Sequence, residues 1–358
     1  MDLQQFFDVI SGKRRGAAAT LLRGSLALAE PGYRAAVALR NAGFDRGWKR
    51  IEKVSVPVIS VGNVTTGGTG KTPAVAWITN WLAAEGFRPA IVSRGYRALD
   101  EGGNDEKRLM DQLCPGVPHL QNRLRGAAAR EAIRQHGAGA IVLDDAFQHR
   151  QLHRDLDVVL IDAMNPWGFG RLLPRGLLRE PRQSLARADV VVMTRCGQIE
   201  LPQRETLRQE IARWTPAPIL ESTFQVKRLV NSHGEARELT GLAAERIAAF
   251  CGIGNPVGFR KTLAEIGAAP DDARFRAFPD HHHYDARDAD DLAAWGRSVG
   301  ATLLVATRKD LVKIPRTELG GIPLWGVDQT LEFADPALLV TRLRDTVSAK
   351  PAGSEPGV

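Results

Sequence analysis

The stretch VGNVTTGGTGKTP, residues Val61–Pro73, constrains the fold more than any other part of this 358-residue chain. It nearly matches the nucleotide-binding pattern G-x-x-x-x-G-K-[ST], in which main-chain amides of a glycine-rich loop surround the phosphates of a nucleotide. Counting back from the Gly-Lys-Thr triplet places Thr65 where that pattern has its first glycine. The other glycines of the loop are retained, so the stretch predicts a phosphate cradle with a variant first position.

The residues around this loop supply the strand and the helix that a phosphate cradle needs. Pro57–Val61 is apolar and β-branched, which predicts a strand, and a helix is expected from Thr72 onward, with Pro73 in its first turn. Lys71 would reach the β- and γ-phosphates, and the Thr72 hydroxyl would bind Mg²⁺. The competing interpretation is a glycine-rich turn with an incidental Lys-Thr pair. The predicted nucleotide-binding residues are Thr65, Thr66, Gly67, Gly68, Thr69, Gly70, Lys71 and Thr72.

A pair of acids follows a second apolar run, in the segment AIVLDDAFQH. The run predicts a strand that ends in Asp144 and Asp145, and active sites of α/β proteins lie at the carboxyl ends of strands. One of these carboxylates could hold Mg²⁺ beside a nucleotide. The alternative is an acidic turn at a strand end.

Short apolar runs rich in β-branched residues recur along the chain, and helical segments such as Pro73–Glu85 and Arg123–His136 separate most of them. Buried strands that alternate with helices indicate an α/β fold with a mainly parallel sheet covered on both faces. The runs are Pro57–Val61, Pro89–Ser93, Ala140–Leu143, Leu156–Ile161, Asp189–Met193, Ile247–Cys251 and Ala301–Ala306.

The pattern changes between Thr223 and Leu242, where an Asn-Ser-His-Gly turn separates two stretches and predicts a hairpin or a paired linker. A second α/β segment begins at Ile247, and the Pro/Gly/Ser-rich end of the chain is expected to be disordered. The predicted organisation is an N-terminal helical segment 1–53, a core 54–222, a two-stranded linker 223–246, a smaller α/β domain 247–347 and a tail 348–358.

The N-terminal segment is strongly basic. Residues 1–53 hold ten Lys/Arg and five Asp/Glu, so they carry +5 of the formal net charge of +7. Apolar residues recur there at near-helical spacing, but charges interrupt them, so there is no apolar run of about 18 residues and no clear signal peptide. The segment predicts either a helix lying on an anionic membrane surface or a helix packed on its own domain. These apolar residues are Leu3, Phe6, Phe7, Ile10, Leu21, Leu22, Leu26 and Leu28.

The remaining composition excludes some classes of protein. The three cysteines are widely spaced and form no disulfide or zinc pattern, so we expect buried thiols in a reducing compartment. The basic N-terminal segment has no aromatic platform or known DNA-binding motif beside it, so no nucleic-acid partner is predicted. No protein partner is inferred.

Two further polar clusters are candidates for acid–base chemistry. The acidic loop Asp100–Glu106, DEGGNDE, contains possible bases for a hydroxyl acceptor, although a solvated acidic turn is the alternative. The triplet His281-His282-His283 lacks the spacing of a chelating site. One of its histidines could relay a proton or contact phosphate, or all three could simply lie on the surface.

Taken together, these motifs resemble the tetraacyldisaccharide 4′-kinases, the lipid A 4′-kinase family of Gram-negative bacteria. The matching segments occur in the family's order from about residue 54 to 311, and the family's own loop reads T-x-G-G-x-G-K-T, which accounts for Thr65. The segments are VPVISVGNVTTGGTGKTP, IVSRGY, GNDE, VLDDAFQH, RDLDVVLID, LLPRGLLREP, GIGNP, FPDHHHY and TRKD.

The resemblance implies a RecA-like P-loop core, a smaller C-terminal α/β domain and a two-stranded linker. It implies a peripheral enzyme of the inner membrane's cytoplasmic face. This enzyme would transfer the γ-phosphate of ATP to the 4′-hydroxyl of a membrane-embedded lipid A precursor, tetraacyldisaccharide 1-phosphate, and form lipid IVA.

The family's site residues carry over by position. Asp105 would be the general base, Glu106 would support the metal or the substrate hydroxyl, and His281 would support the base. Asp144 and Asp145 match the acids that, with Thr72, hold Mg²⁺, and Lys71 keeps its role in the cradle.

Some positions depart from the family pattern: Arg97 and Ala146 replace glycines, and Arg308 replaces a glutamate. Two other functions remain open on the residues alone. One is a P-loop kinase or GTPase acting on a soluble substrate, and the other is a nucleotide-switched membrane adaptor. The adaptor predicts that Asp105 and His281 are dispensable while Lys71 is not.

Overall fold

The structure is a computed structural model that describes residues 3–95, 105–280 and 282–350. The chain divides into two compact units. The first, called the core unit, comprises Met1–Gly95, Gly116–Thr223 and Glu332–Val358. The other, called the second unit, comprises Tyr96–Pro115 and Phe224–Leu331.

The core unit contains a sheet in which every recorded strand pair is parallel. Its strands are β1 (Val58–Asn63), β2 (Pro89–Ser93), β3 (His119–Gln121), β4 (Ala140–Asp144), β5 (Leu156–Asp162), β6 (Val190–Thr194) and the start of β7 (Ile219–Val230), in the order β7-β6-β5-β1-β4-β2-β3. All except β3 and β7 are fully or almost fully buried, as their continuous apolar sequences predict. The predicted parallel sheet is confirmed; β3, only three residues long, was not predicted.

The helices, numbered along the described chain, are α1 (Leu3–Ser11), α2 (Ala17–Asp45), α3 (Lys71–Ala84), α4 (Asp105–Leu113), α5 (Arg125–His136), α6 (Leu201–Ala212), α7 (Pro256–Glu265), α8 (Ala286–Ser298), α9 (Arg308–Leu311) and α10 (Ala337–Ala349). In the core unit, α3 and α5 pack on the sheet through apolar faces. α5 ends at Gly137, whose φ of 60° is a conformation that glycine adopts without strain.

In the second unit, parallel pairs join β9 (Ile247–Cys251) to β10 (Phe275–Ala277), β9 to β11 (Leu303–Thr307), and β11 to β13 (Ile322–Phe333). Two short strands, β8 (Ala236–Arg237) and β12 (Glu318–Leu319), pair antiparallel with β7 and β13. The predicted hairpin after Thr223 is therefore present as the end of β7 and β8.

The division of the chain differs from the predicted boundaries at three places. α10 belongs to the core unit, where Arg344 pairs with Glu85 and the Trp77 and Phe333 rings lie 4.8 Å apart. α4 belongs to the second unit and packs against α9. Two long strands, β7 and β13, pass from one unit to the other, rather than one contiguous linker 223–246. These assignments depend on contacts between segments distant in sequence, which composition along the chain does not reveal.

The N-terminal segment is helical, and α2 has two opposite faces. Ala19, Val37 and Phe44 are buried on one face. On the other, Leu21, Leu28 and Leu39 are 75%, 85% and 73% exposed. Among the described residues, no helix is both long and apolar enough to cross a membrane. The buried face bears out the prediction of a helix packed on its own domain. Contact of the exposed face with a membrane surface stays a prediction.

The last helix extends further than the sequence predicts. α10 continues to Ala349, two residues into the predicted disordered tail, and residues 351–358 lie outside the described residues. Cys114, Cys196 and Cys251 are buried, as predicted.

Candidate active site

The glycine-rich loop joins β1, which ends at Asn63, to α3, which begins at Lys71. Gly67 and Gly70 have φ of 113° and 90°, conformations that favour glycine. A Cβ added to Gly67 or Gly68 would meet no atom within 4 Å. The loop therefore borders open space from which a ligand can approach its main chain.

The first part of the loop is held by a neighbouring segment of the core unit. Thr65 is buried and forms a β-bridge with Leu178, and the Thr66 amide donates to the Leu177 carbonyl at 2.7 Å. A threonine at position 65 is thus accommodated without disturbing the glycines that follow.

The end of β6 holds the tip of the loop. Thr194 Oγ1 donates to the Thr69 carbonyl at 3.0 Å, and Arg195 Nη2 donates to the Gly68 carbonyl at 2.8 Å. Arg195 also pairs with Asp162 at the end of β5. These two bonds tie the tip of the loop to the end of β6.

Lys71 extends from the first residue of α3 to polar groups of β1 and the acid pair. Its Nζ donates to Asn63 Oδ1 at 3.3 Å and lies 3.6 Å from Asp145 Oδ1. Thr72 follows in the first turn of the helix and is partly buried. Both residues stand where a bound triphosphate would meet the helix N-terminus.

The acid pair lies at the end of β4: Asp144 is the last residue of the strand, in register with Val61 of the neighbouring β1, and Asp145 follows it. Asp145 has a φ of 51°, in the left-handed region. Gly62 permits the close approach of the loop after the acids, because a Cβ there would lie 2.6 Å from the Phe147 amide nitrogen. Burial would raise the pKa of Asp145, but the Lys71 and Arg179 cations lower that pKa to about 2. Asp145 is therefore a carboxylate at neutral pH.

Two arginines of the core unit reach the same acid. Arg179 Nη1 donates to Asp145 Oδ1 at 2.7 Å and to Gln148 Oε1 at 3.2 Å. Arg125 Nη2 donates to the Asp145 carbonyl at 3.0 Å. Burial lowers the pKa of the Arg125 guanidinium. Together with Lys71, these side chains concentrate positive charge beside the cradle, as a polyphosphate ligand requires.

His149 ends the segment after the acid pair. Burial, with the Arg125 and Arg154 cations nearby, lowers its pKa to about 4. The imidazole is therefore neutral at pH 7, so it adds no positive charge to the cation cluster.

Asp105 and Glu106 lie in the second unit, at the start of α4. Lys313 Nζ is 3.6 Å from Asp105 Oδ2, and the Glu106 amide donates to Asp105 Oδ1 at 3.1 Å. The Glu106 residue itself is exposed.

His281 lies outside the described residues, but its neighbours are described. Asp280 pairs with Lys309 at 3.6 Å. The next histidine, His282, bonds Asp288 through Nε2 at 2.9 Å and stacks on the Phe278 ring. His282 thus has a structural role.

Reasoning from the residues alone did not single out several side chains that contact the cradle or the predicted acids. Their sequence signals were weak: Asp162 and Thr194 are strand-end residues, and Arg179 lies in the LLPRGLLREP segment without a distinguishing pattern. These residues are Thr194, Arg195, Arg179 and Lys313, together with Asp162, which pairs with Arg195, and Gln148, which accepts from Arg179.

A glycine-rich loop between a buried strand and a helix, with a lysine at the helix start and acids after the adjacent strand, defines a P-loop protein that binds nucleotide phosphates. The sequence profile of the family described as tetraacyldisaccharide-1-P 4′-kinase matches residues 22–348. The chain belongs to this family.

Individual relatives agree. A protein named tetraacyldisaccharide 4′-kinase from Syntrophus aciditrophicus is 40% identical over 316 residues, which are 81% of this chain and 84% of that protein. Another of the same name, from Anaeromyxobacter dehalogenans strain 2CP-1, is 40% identical over 319 residues, 84% of each chain. The crystal structure of LpxK from Aquifex aeolicus, described as an "apo" form in complex with ATP, has a TM-score of 0.74 and 29% identity, covering 91% of this chain and 99% of that one. The predicted family, fold class and kinase activity are confirmed.

Proposed function

We propose that this protein transfers the γ-phosphate of ATP to the 4′-hydroxyl of tetraacyldisaccharide 1-phosphate and so forms lipid IVA in lipid A biosynthesis. The observation that carries the proposal is the family match over residues 22–348, which takes in both the cradle of the core unit and Asp105 of the second unit. The protein is accordingly an enzyme, a phosphotransferase to an alcohol group.

The donor side uses the cradle. The amides around Gly67–Gly70 and the N-terminus of α3 would surround the ATP phosphates, and Lys71 would exchange its contact with Asp145 for the β- and γ-phosphates. Arg125 and Arg179 would add positive potential in the core unit, where negative charge accumulates during transfer.

The chemistry of the donor set fits Mg²⁺, which prefers carboxylate, hydroxyl and phosphate oxygens. Thr72, Asp144 and Asp145 offer such oxygens. Because Asp145 already accepts from Arg179 and faces Lys71, we assign Asp144 to the metal and Asp145 to the orientation of the two cations. The ion would neutralise charge between the β- and γ-phosphates.

The acceptor side uses the acids at the start of α4. The 4′-oxygen forms a bond to the γ-phosphorus, the bond from that phosphorus to the β–γ bridging oxygen breaks, and ADP leaves. Asp105 takes the hydroxyl proton, Glu106 supports the hydroxyl or the metal, and His281 supports the base.

Labelled ATP and the tetraacyl disaccharide 1-phosphate in mixed micelles test this assignment. We expect the wild type to form the bisphosphorylated lipid with Mg²⁺, and Asp105→Ala to bind ATP but lose about 10²–10⁴-fold in turnover. A folded, ATP-binding wild type without transfer would refute the lipid-kinase proposal in favour of a soluble substrate or an adaptor. Full turnover by Asp105→Ala would place the base elsewhere.

We further propose that the protein works as a peripheral protein on the cytoplasmic face of the inner membrane. A substrate with four acyl chains stays in the bilayer, so the enzyme must reach its surface. Leu28 and Leu39 lie about two and about five turns from Leu21, on the same face of α2. Full burial of one leucine side chain contributes about 1.5–3 kcal/mol of transfer free energy. The net charge of +5 in residues 1–53 favours anionic headgroups.

Vesicles with and without anionic lipid test this surface. Replacing Leu21, Leu28 and Leu39 together with Gln should lower binding to both kinds of vesicle at least tenfold, whereas Leu201→Gln, a change at a leucine that is 71% exposed on α6, should not. Equal binding by the triple variant and the wild type would exclude α2 as the contact surface.

A further inference from the structure

Lys313 lies just after α9, and its side chain is only 7% exposed. Its Nζ lies 3.6 Å from Asp105 Oδ2 and 3.5 Å from Asp310 Oδ1, and it donates to the His282 carbonyl at 3.1 Å. All four residues belong to the second unit. The ammonium group is therefore held by two carboxylates and a carbonyl at once.

Asp310 fixes this arrangement to the sheet of the second unit. Its side chain is fully buried, and Oδ2 accepts from the Gly252 amide at 3.0 Å and from Thr307 Oγ1 at 2.6 Å. Thr307 in turn caps α9 by accepting from the Asp310 amide. Because Asp310 cannot move without breaking these bonds, it sets the position of the lysine.

Asp105, by contrast, is the first residue of α4. Of the two carboxylates that face Lys313, Asp105 is the one that we assign as the general base. A buried ammonium within 4 Å of a carboxylate both orients that group and favours its charged form.

We propose that Lys313 is the positioning residue of the catalytic base: anchored by Asp310, it holds the Asp105 carboxylate in the orientation that accepts the hydroxyl proton. This inference rests on the proposed function of Asp105. Lys313 itself touches no reacting atom and acts only through that acid.

The test is a double-mutant cycle on the full-length enzyme, measured by phosphate transfer to the tetraacyl disaccharide 1-phosphate in micelles. Lys313→Met should lower kcat about 10²-fold with the KM for ATP unchanged, because a misplaced base slows only the transfer step. Lys313→Arg keeps the cation and should recover part of this loss. In an Asp105→Asn background, each substitution should change the residual kcat by no more than about twofold, since there is no carboxylate to position.

Lys107→Met is the matched control. Lys107 lies on α4, two residues from Asp105, and pairs with Asp111 at 2.7 Å. Like Lys313→Met, the variant therefore removes one lysine charge and breaks an ion pair, but that pair is with Asp111 and not with Asp105. It should keep wild-type kcat. If Lys313→Met does not fold, the comparison of Lys313→Arg in the wild-type and Asp105→Asn backgrounds decides the question.

The outcomes separate the two proposals. If Asp105→Asn is inactive but Lys313→Met and Lys313→Arg keep full kcat, or if either variant loses the same factor in both backgrounds, Lys313 does not position the base. If Asp105→Asn itself keeps full turnover, the assignment of the base fails first, and Lys313 then has only a structural role.

Discussion

Two lysines in this protein make ion pairs of the same length in different surroundings. Lys71 of the core unit and Lys313 of the second unit each lie 3.6 Å from an aspartate oxygen. The Lys71 side chain is 16% exposed and its partner Asp145 37%, whereas Lys313 is 7% exposed and its partner Asp105 16%.

The surroundings explain what each lysine can do. Lys71 stands beside a loop with open space over two glycines, and Asp145 has a second cation, Arg179, to keep it paired. Lys71 can therefore exchange its contact with Asp145 for a phosphate, because Arg179 still pairs with that carboxylate. Lys313 is bonded from three sides and could leave only by breaking its contacts with Asp310, Asp105 and the His282 carbonyl. Ion-pair distance alone does not distinguish a ligand-binding lysine from a fixed one; the groups around the pair do.

The largest expected effect comes from replacing the two lysines by the same residue. Lys71→Met should lower phosphate transfer about 10³-fold, because the phosphates lose a direct cation, and change the free energy of unfolding by less than about 1 kcal/mol. Lys313→Met should lower that free energy by about 3 kcal/mol, because it breaks a buried pair. Transfer assays and denaturant unfolding measure both quantities. Equal destabilisation by the two variants would show that Lys71 is as structural as Lys313.

Two glycines of the core unit sharpen the contrast between an open site and a packed one. Gly68→Ala adds a methyl group into open space, so the protein should keep its stability but bind ATP about tenfold more weakly. Gly62→Ala forces a contact with Phe147 and should cost about 1–3 kcal/mol of stability. Calorimetric ATP titration and thermal unfolding check the pair. Unchanged ATP affinity in Gly68→Ala would argue against this loop as the cradle.

The smallest effect concerns the pairing of Asp145. Its folded pKa of about 2 lies below the ordinary value, so its stabilising contribution is complete above about pH 4 and is lost as the pH falls toward 2. Arg179→Met should raise that pKa and so reduce the gain in melting temperature between pH 2 and 4. In an Asp145→Asn background the same substitution should leave that pH dependence unchanged. An unaltered profile in Arg179→Met alone would mean that Lys71 suffices to hold the acid.

Much of the core unit could be predicted because its signals are local. The strand that ends at Asp144 is predicted by an apolar run, and the helix that begins after Gly70 is predicted by the placement of the glycines. Both patterns involve adjacent residues and can be read directly along the sequence. The same holds for the cradle as a whole. The three-residue strand β3 has no such pattern, because it is too short to show a period.

The residues that hold the site were beyond this kind of reasoning. Thr194 and Arg195 reach the cradle from β6, and Arg179 reaches Asp145 across 34 positions of sequence. Lys313 meets Asp105 from a segment 208 positions further along. In the sequence, a lysine or an arginine is equally compatible with exposure to solvent, an ion pair or a bound ligand. Only the packing of the chain shows which partner it has.

The sequence by itself therefore determined the parallel α/β core, the phosphate cradle, the acids after β4 and, through its family motifs, the kinase activity. Tertiary structure alone decided that α10 joins the core unit and α4 the second unit, that α2 packs one face and exposes leucines on the other, and that a buried lysine faces Asp105. The physical reason is range. Backbone conformation and burial periodicity are set within a few residues, whereas charge pairing and unit membership are set by whichever distant segments pack together.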